Sequence, residues 1–318
     1  MPSEFELIAR YFALPRQAAG QGVVLGPGDD CALLSPSPGS TLAVSVDTSV
    51  ADVHFPGDAP ATAIGHRALA VALSDLAAMG ARARWCVMAI TLPAVDETWL
   101  EAFSAGFHTL CRRSGVALVG GDVTRGALSV AVTVHGEVPV DAALRRDGGR
   151  PGDVLAVTGT LGGGRGGLDA WQAGLRDLDD PLLRAYLLPE PRLAAGEALR
   201  DLAHAGIDVS DGLLADLAHL CQASGTGAVL DTTALPLTAG LTGRLGEADA
   251  IDAALRGGDD YELLVALPQS SLDRARQRLA ACDLALTPIG HLTATPGITG
   301  VPASSRPSGW QHFPGGMT

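Results

Sequence analysis

A chain of 318 residues, 47% hydrophobic and 18% charged, is long enough for two domains with cores of their own and too apolar to be disordered. Its formal net charge of −13 argues against nucleic-acid binding, which calls for a basic face. Lysine and asparagine are both absent and all 22 basic residues are arginine, which excludes a P-loop lysine, a pyridoxal-phosphate Schiff base and the lysine and catalytic-loop asparagine of protein kinases.

In chain order, the start MPSEFELIARYF carries acids and lacks the basic-then-apolar pattern of a secretory signal. No apolar run reaches the roughly 20 residues that span a bilayer. Next comes LGPGDDCALL (Leu25–Leu34), with Asp29 and Asp30 side by side behind Gly26, Pro27 and Gly28. TLAVSVD (Thr41–Asp47) alternates like a strand and ends on an aspartate. ATAIGHRALAVALSDLAAMG places Ile64, Ala68, Val71, Ala72, Leu76 and Met79 on one helical stripe that ends at Gly80. RWCVMAITL reads as a buried strand, and Asp96 starts a helix through Arg113 that Gly115 stops. VALVGGD and LSVAVTVHGEV read as strands separated by a turn.

The pattern breaks at PVDAALRRDGGRPGD, which predicts a boundary between a domain over 1–138 and another over 150–318. The second half opens with strand DVLAVTG, the glycine-rich TLGGGRGGL, and helices near Leu168–Ala173, Pro181–Leu188 and Pro191–His204. GIDVSDG leads into a helix over Leu213–Ala223; strand AVLDT, a helix near Ala248–Leu255, strand YELLVALP, a helix over Ser270–Cys282 and strand LALTPIG follow. This order predicts an α/β protein of two α/β or α+β halves. The five cysteines are odd in number, scattered and without a CxxC, as expected of reduced thiols in a cytoplasmic protein.

The chemistry concentrates in aspartates at strand ends and turns: Asp29 and Asp30, Asp47, Asp75, Asp122, Asp208 and Asp211, Asp259 and Asp260. Each has an ordinary reading. Asp29 and Asp30 suit a turn, Asp75 a mid-helix surface site, Asp122 a hairpin turn, Asp208 a strand-end cap and Asp211 a helix N-cap. TLGGGRGG lacks the Lys-Ser/Thr of a phosphate loop and suits a flexible strand-to-helix turn; Arg145 and Arg146 suit a solvated linker. His54, His135 and His312 suit structural roles, since the eight histidines form no spaced metal motif. Yet these aspartates sit among Gly, Ala, Ser, Val and Leu, without i+4 basic partners, and an unpaired carboxylate in apolar surroundings must be capped, paired or metal-bound. Carboxylates without a Cys/His set favour Mg²⁺ over zinc.

The ordered set GPGDDCALL, VDTSVADVHF, ALAVALSDLAAMGA, LVGGDVTRG, PGDVLAVTGTLG, IDVSDGLLADL, GGDDYELL and GWQHF resembles the thiamine-monophosphate kinases, from about Glu4 to Phe313. That family has the aminoimidazole ribonucleotide synthetase-like fold. The resemblance implies an N-terminal ATP- and Mg²⁺-binding domain that forms a homodimer, and a C-terminal α/β domain that completes the site. It implies direct in-line transfer of the ATP γ-phosphate to thiamine monophosphate, without a phosphoenzyme, several Mg²⁺ ions and no catalytic side chain beyond their ligands. Carried over, Asp30, Ser45, the Val46 backbone, Asp47, Asp75, Asp122, Asp208 and Asp211 would be metal ligands. Gly121, Asp122, Arg146 and Ser210 would contact ATP; His54, Asp259 and Trp310 would contact the thiamine side. The family's GGEDYEL has its acid shortened to Asp259, Ala72 replaces an asparagine of ALAVNLSD while Arg67 keeps the preceding charge, and a tyrosine near adenine gives way to CRRSG, leaving Arg113 or Phe107 for that contact.

Other readings stay open. Another ATP-dependent enzyme of the superfamily would act on an amidine ribonucleotide or selenide, but the reactive N-terminal Cys and lysine of selenophosphate synthetases are absent and the chain ends FPGGMT, without the hydrogenase protein's C-terminal cysteine. A non-catalytic Mg²⁺/ATP-binding regulator would be expected to have lost metal aspartates. A phosphatase would release inorganic phosphate from thiamine phosphates without ATP.

Overall fold

The computed structural model describes residues 4–12 and 22–302. The chain divides into two compact units, Met1–Ala143 and Leu144–Thr318.

The first unit runs α1 (Glu4–Leu7) with a π-type turn over Ile8–Phe12, β1 (Val23–Leu25), β2 (Leu33–Leu34), β3 (Ser40–Val50), α2 (Ala61–Ala78), β4 (Arg82–Leu92), α3 (Glu97–Ser114), β5 (Ala117–Arg125) and β6 (Ser129–Pro139). Its main sheet has the order β3-β6-β4-β5, with β3/β6 and β6/β4 antiparallel and β4/β5 parallel. The parallel pair is joined through α3, as a parallel pair requires a crossover. β5 and β6 are therefore not a hairpin, since β4 lies between them; Asp122 sits within β5, opposite Ala89, and not in a turn.

Helix α3 is set by local chemistry. The Asp96 side chain accepts from the Trp99 amide at 3.1 Å, and Gly115 closes the helix at φ 67°. Helix α2 departs from the expected single stripe. From Ala63 to Ala78 every residue but Asp75 is buried, because α2 packs against α3 on one side and against β3, β4 and β6 on another. Ile64, Leu69, Leu73 and Leu76 are buried there, each worth about 2 kcal/mol.

Register decides which face of the sheet each side chain meets. Ser45, Asp47 and Ser49 lie opposite Val134, Val132 and Val130, and these lie opposite Cys86, Met88 and Ile90. That row faces α2, as the bond from Ser45 to Asp75 shows. On the other face of edge strand β3, Leu42, Val44 and Val46 are 44%, 56% and 61% exposed. Where β1 and β2 cover that face, Trp85, Ala117 and Val119 form a small core with Val23 and Leu34.

The second unit runs β7 (Val154–Thr158), α4 (Gly163–Gln172), α5 (Pro181–Leu187), α6 (Leu193–Leu199), β8 (Ala205–Asp208), α7 (Leu213–Ser224), β9 (Gly227–Leu230), α8 (Leu241–Leu245), α9 (Glu247–Arg256), β10 (Leu263–Leu267), α10 (Leu272–Ala280), β11 (Leu286–Thr293) and β12 (Ile298–Thr299). The sheet order is β12-β9-β11-β7-β10-β8, antiparallel except for β12/β9. β7 and β10 are buried at every position, as strands covered on both faces are. The core gathers Leu155, Ile207, Leu213, Leu217, Leu264 and Ile289. The glycine run is not a flexible turn: α4 starts inside it at Gly163. The short α8 and β12 carry no clear sequence periodicity and were not expected.

Cys86, Cys111 and Cys221 are buried, Cys31 and Cys282 exposed, and none of the five is in a disulfide. Among the described residues no helix is long and apolar enough to cross a membrane.

Candidate active site

In the first unit the site residues come from β3, α2, β5 and the loop between β1 and β2. Alternation along β3 turns Ser45 and Asp47 toward α2. The Ser45 hydroxyl donates to Asp75 Oδ2 at 2.5 Å. Asp75 is thus neither a surface residue nor a core residue: it is the one partly exposed position in an otherwise buried stretch, held by a hydroxyl from the sheet.

β5 carries a bulge, with Val119 as an extra residue between the pairs Cys86–Leu118 and Val87–Gly120. Such a bulge re-aims the strand beyond it. Beyond it Gly121 crosses so close to β4 that a Cβ would lie 1.9 Å from the Met88 carbonyl oxygen, so only glycine fits before Asp122. A cleft of about 710 Å³ opens there, lined by Gly26–Ala32, Val87, Met88, Leu118–Val123, Ile8 and Phe12. Asp29, Asp30 and Asp122 therefore share one cleft. The Asp29 carboxylate accepts from the Asp30 amide at 2.8 Å, which holds the turn and leaves the Asp30 carboxylate to other partners.

His54 follows β3 and accepts from the Val50 amide through Nδ1 at 3.0 Å. Phe107 is wholly buried and stacked on Phe103, which removes it from any adenine contact; Arg113 is on α3 and does not line the cleft. Ile8 and Phe12, which do line it, were not singled out in the sequence.

In the second unit β8 ends at Asp208, 3% exposed, and runs into Val209–Gly212. Asp211 does not cap α7. The cap position is Gly212, and Asp216, inside the first turn, accepts from the amides of Ser210, Asp211 and Gly212 at 3.0, 3.1 and 3.2 Å. Burial pushes the Asp216 carboxyl up to about 7, with the charges of Asp208 and Asp211 adding to the rise. Sequence reading missed Asp216; its only signal was an acid in the first helical turn of DGLLADL.

Asp259 and Asp260 part company. Tyr261 Oη donates to Asp259 Oδ1 at 2.8 Å, while Asp260 accepts from the amides of Gly162 and Gly164 at 2.9 and 3.2 Å. Glu262, also missed, is buried; it accepts from Thr158 Oγ1 at 2.6 Å and from Arg192 Nε and Nη2 at 2.8 and 2.5 Å. Arg146 is exposed, its carbonyl accepting from Ser224 Oγ at 2.7 Å. Trp310 and His312 lie outside the described residues.

The donors in these places are carboxylates and a hydroxyl, a hard oxygen set that suits Mg²⁺. Among the described residues no three His, Cys, Asp or Glu side chains are placed to hold a metal by themselves. Mg²⁺ is commonly held by one or two carboxylates with phosphate and water oxygens making up the rest, so this sparse set fits it.

Family models described as AIR synthase related protein, N-terminal domain and C-terminal domain, match residues 28–138 and 150–301. Thiamine-monophosphate kinase of Escherichia coli (strain K12) is 44% identical over 319 residues, 98% of each chain. That of Haemophilus influenzae is 39% identical over 293 residues, 91% of this chain and 89% of the relative. Among solved structures, thiamine-monophosphate kinase from Stenotrophomonas maltophilia K279a superposes with a TM-score of 0.84 at 44% identity, over 89% of this chain and 94% of that one. AaThiL complexed with AMPPCP and TMP superposes with a TM-score of 0.79 at 29% identity, over 88% and 89%.

Proposed function

The chain belongs to the thiamine-monophosphate kinases, and from this we propose that it transfers the γ-phosphoryl group of ATP to the phosphate of thiamine monophosphate, giving thiamine diphosphate and ADP. The observation that carries the reading is 44% identity across 98% of both chains with a kinase of that name.

The acceptor is a phosphate oxygen, anionic at pH 7, so no side chain has to remove a proton from it. The barrier is repulsion between two polyanions, and it falls through positioning and charge neutralisation. A chain without lysine and with net charge −13 has few cations of its own to offer. Bound Mg²⁺ supplies that neutralisation. Asp30, Ser45, the Val46 backbone, Asp47, Asp75 and Asp122 of the first unit, with Asp208 and Asp211 of the second, are the proposed ligands. The bond between Ser45 and Asp75 preorganises one pair, and Asp216 fixes the Ser210–Gly212 backbone through three amides. Gly121, Asp122, Arg146 and Ser210 are the proposed ATP contacts, and His54, Asp259 and Trp310 the proposed thiamine-side contacts. Transfer is direct, with no phosphoenzyme. The proposed domain limits are 1–138 for ATP and metal binding and 150–318 for completion of the site.

The test is incubation of the protein with ATP, MgCl₂ and thiamine monophosphate, followed by ³¹P NMR. Thiamine diphosphate and ADP should appear together, and EDTA should abolish both. Release of inorganic phosphate without ATP would overturn the reading in favour of a phosphatase.

The exposed row Leu42, Val44 and Val46 on an edge strand supports a homodimer through this face. Val44→Asp is expected to convert a dimer to a monomer in light scattering after gel filtration; an unchanged mass would remove this face from the interface. A cytoplasmic location completes the proposal and agrees with five cysteines free of disulfides.

A further inference from the structure

The stretch GGDDYELL contains two adjacent aspartates, and the proposed function uses only Asp259. Asp260 is committed to the protein's own backbone: its two carboxylate oxygens are engaged separately, Oδ2 by the Gly162 amide at 2.9 Å and Oδ1 by the Gly164 amide at 3.2 Å, at the start of α4. Its neighbours are tied elsewhere. The Asp259 amide donates to the Ser210 carbonyl and the Tyr261 amide to the Val209 carbonyl, both at 2.8 Å. These bonds prolong the β8/β10 pairing past Leu263–Asp208, so this turn lies along the Asp208–Asp211 segment. Alternate residues are thus pulled in opposite directions, and the backbone shows it. Gly258, Asp259 and Tyr261 have φ of 67°, 60° and 52°, a region unfavourable for aspartate and still more so for tyrosine.

Such a conformation persists only where surrounding contacts over-determine it. Three contacts do so here. One is the Asp260 clamp. The second is Tyr261 Oη, which donates to Asp259 Oδ1 at 2.8 Å and so fixes the carboxylate. The third is Gly164: a Cβ there would lie 2.5 Å from the Gly258 carbonyl oxygen and 2.6 Å from Asp259 Cβ, so the turn rests directly on α4.

We propose that Asp260 is a positioning residue for thiamine monophosphate: it ties the turn carrying Asp259 to the start of α4 and thereby aims the Asp259 carboxylate at the substrate. This rests on the placing of Asp259 in the substrate site. Asp260 keeps some exposed surface, but its carboxyl group sits deep enough that burial pushes it up to about 8, opposed by the two amide bonds and reinforced by Glu262 and Asp259. Near neutral pH the protonated form is therefore accessible; asparagine matches its shape and neutrality but offers only one of the two acceptors.

The test is initial-rate kinetics on the full chain, with thiamine monophosphate and ATP varied in turn. Asp260→Ala is expected to raise KM for thiamine monophosphate about tenfold through misplacement of Asp259, with KM for ATP changed less than about twofold. Asp260→Asn, which keeps one acceptor oxygen but turns an NH2 toward the second glycine amide, should recover less than half of that loss. Tyr261→Phe should raise the same KM severalfold without touching the ATP value, and it carries the comparison with Asp260→Asn should Asp260→Ala not fold. If Asp259→Ala raises KM for thiamine monophosphate while the Asp260 and Tyr261 variants leave it unchanged, the positioning role is wrong. Equal increases in both KM values on Asp260→Ala would also overturn it, as the mark of a general structural defect. If Asp259→Ala itself leaves KM for thiamine monophosphate unchanged, the placing of Asp259 is at fault, and the role built on it falls too.

Discussion

Asp75→Asn is expected to lower kcat by about three orders of magnitude, with a thermal midpoint within about 2 °C of the parent protein. The size follows from losing one charged ligand of the proposed Mg²⁺ site, worth about 4 kcal/mol of transition-state stabilisation, at about 1.4 kcal/mol per tenfold in rate. The small effect on stability follows from the local environment. Asp75 is the one position of Ala63–Ala78 that is not buried, so no core packing is lost. Its known partner in the sheet is the Ser45 hydroxyl, which the asparagine amide oxygen still accepts from. The measurement is kcat at saturating ATP and thiamine monophosphate over a MgCl₂ series, beside a melting curve. A kcat near that of the parent would remove Asp75 from the metal site.

Glu262→Ala is expected to act in the opposite sense, on stability. The Glu262 side chain is 4% exposed and takes three charge-assisted or hydroxyl hydrogen bonds, two of them from the Arg192 fork. Deleting it strands a guanidinium that is 24% exposed and leaves the Thr158 hydroxyl without its acceptor. Breaking one side of such a pair costs about 3 kcal/mol, at the low end of the range because Arg192 reaches some solvent. For a unit of this size that is a fall of about 10 °C in melting temperature. Glu262→Gln, which keeps an acceptor for Thr158, should lose about half as much. A fall of less than about 2 °C for the alanine variant would show the network to be dispensable.

These two residues differ in how legible they were. LSDLAAMG presented Asp75 as an acid among apolar neighbours, and that contrast was enough to single it out. Glu262 sits next to a strand and has its partners at positions 158 and 192, so nothing local marked it. Asp216 and Asp211 show the same divide within six residues. Asp211 has the composition of an N-cap, yet Asp216 takes the amides, because the chain enters α7 through Gly212 at φ 114°. The two caps of α3 were legible, since Asp96 and Gly115 act on atoms three or four positions away, although the helix runs to Ser114, one residue past the expected Arg113.

By itself the sequence determined the alternation of elements, the cap residues of α3, and an acidic, lysine-free composition that excludes a P-loop lysine. Those features depend on periodicity, short-range hydrogen bonding and residue type. Only the tertiary structure decided that β4 separates β5 from β6, that a bulge and a glycine bring Asp122 into one cleft with Asp29 and Asp30, that α2 is buried from Ala63 to Ala78 at every position but Asp75, and that Asp260 ties the turn bearing Asp259 to the start of α4. Each depends on which distant backbone groups pair and which faces meet, and a strand or helix carries no local record of its partner.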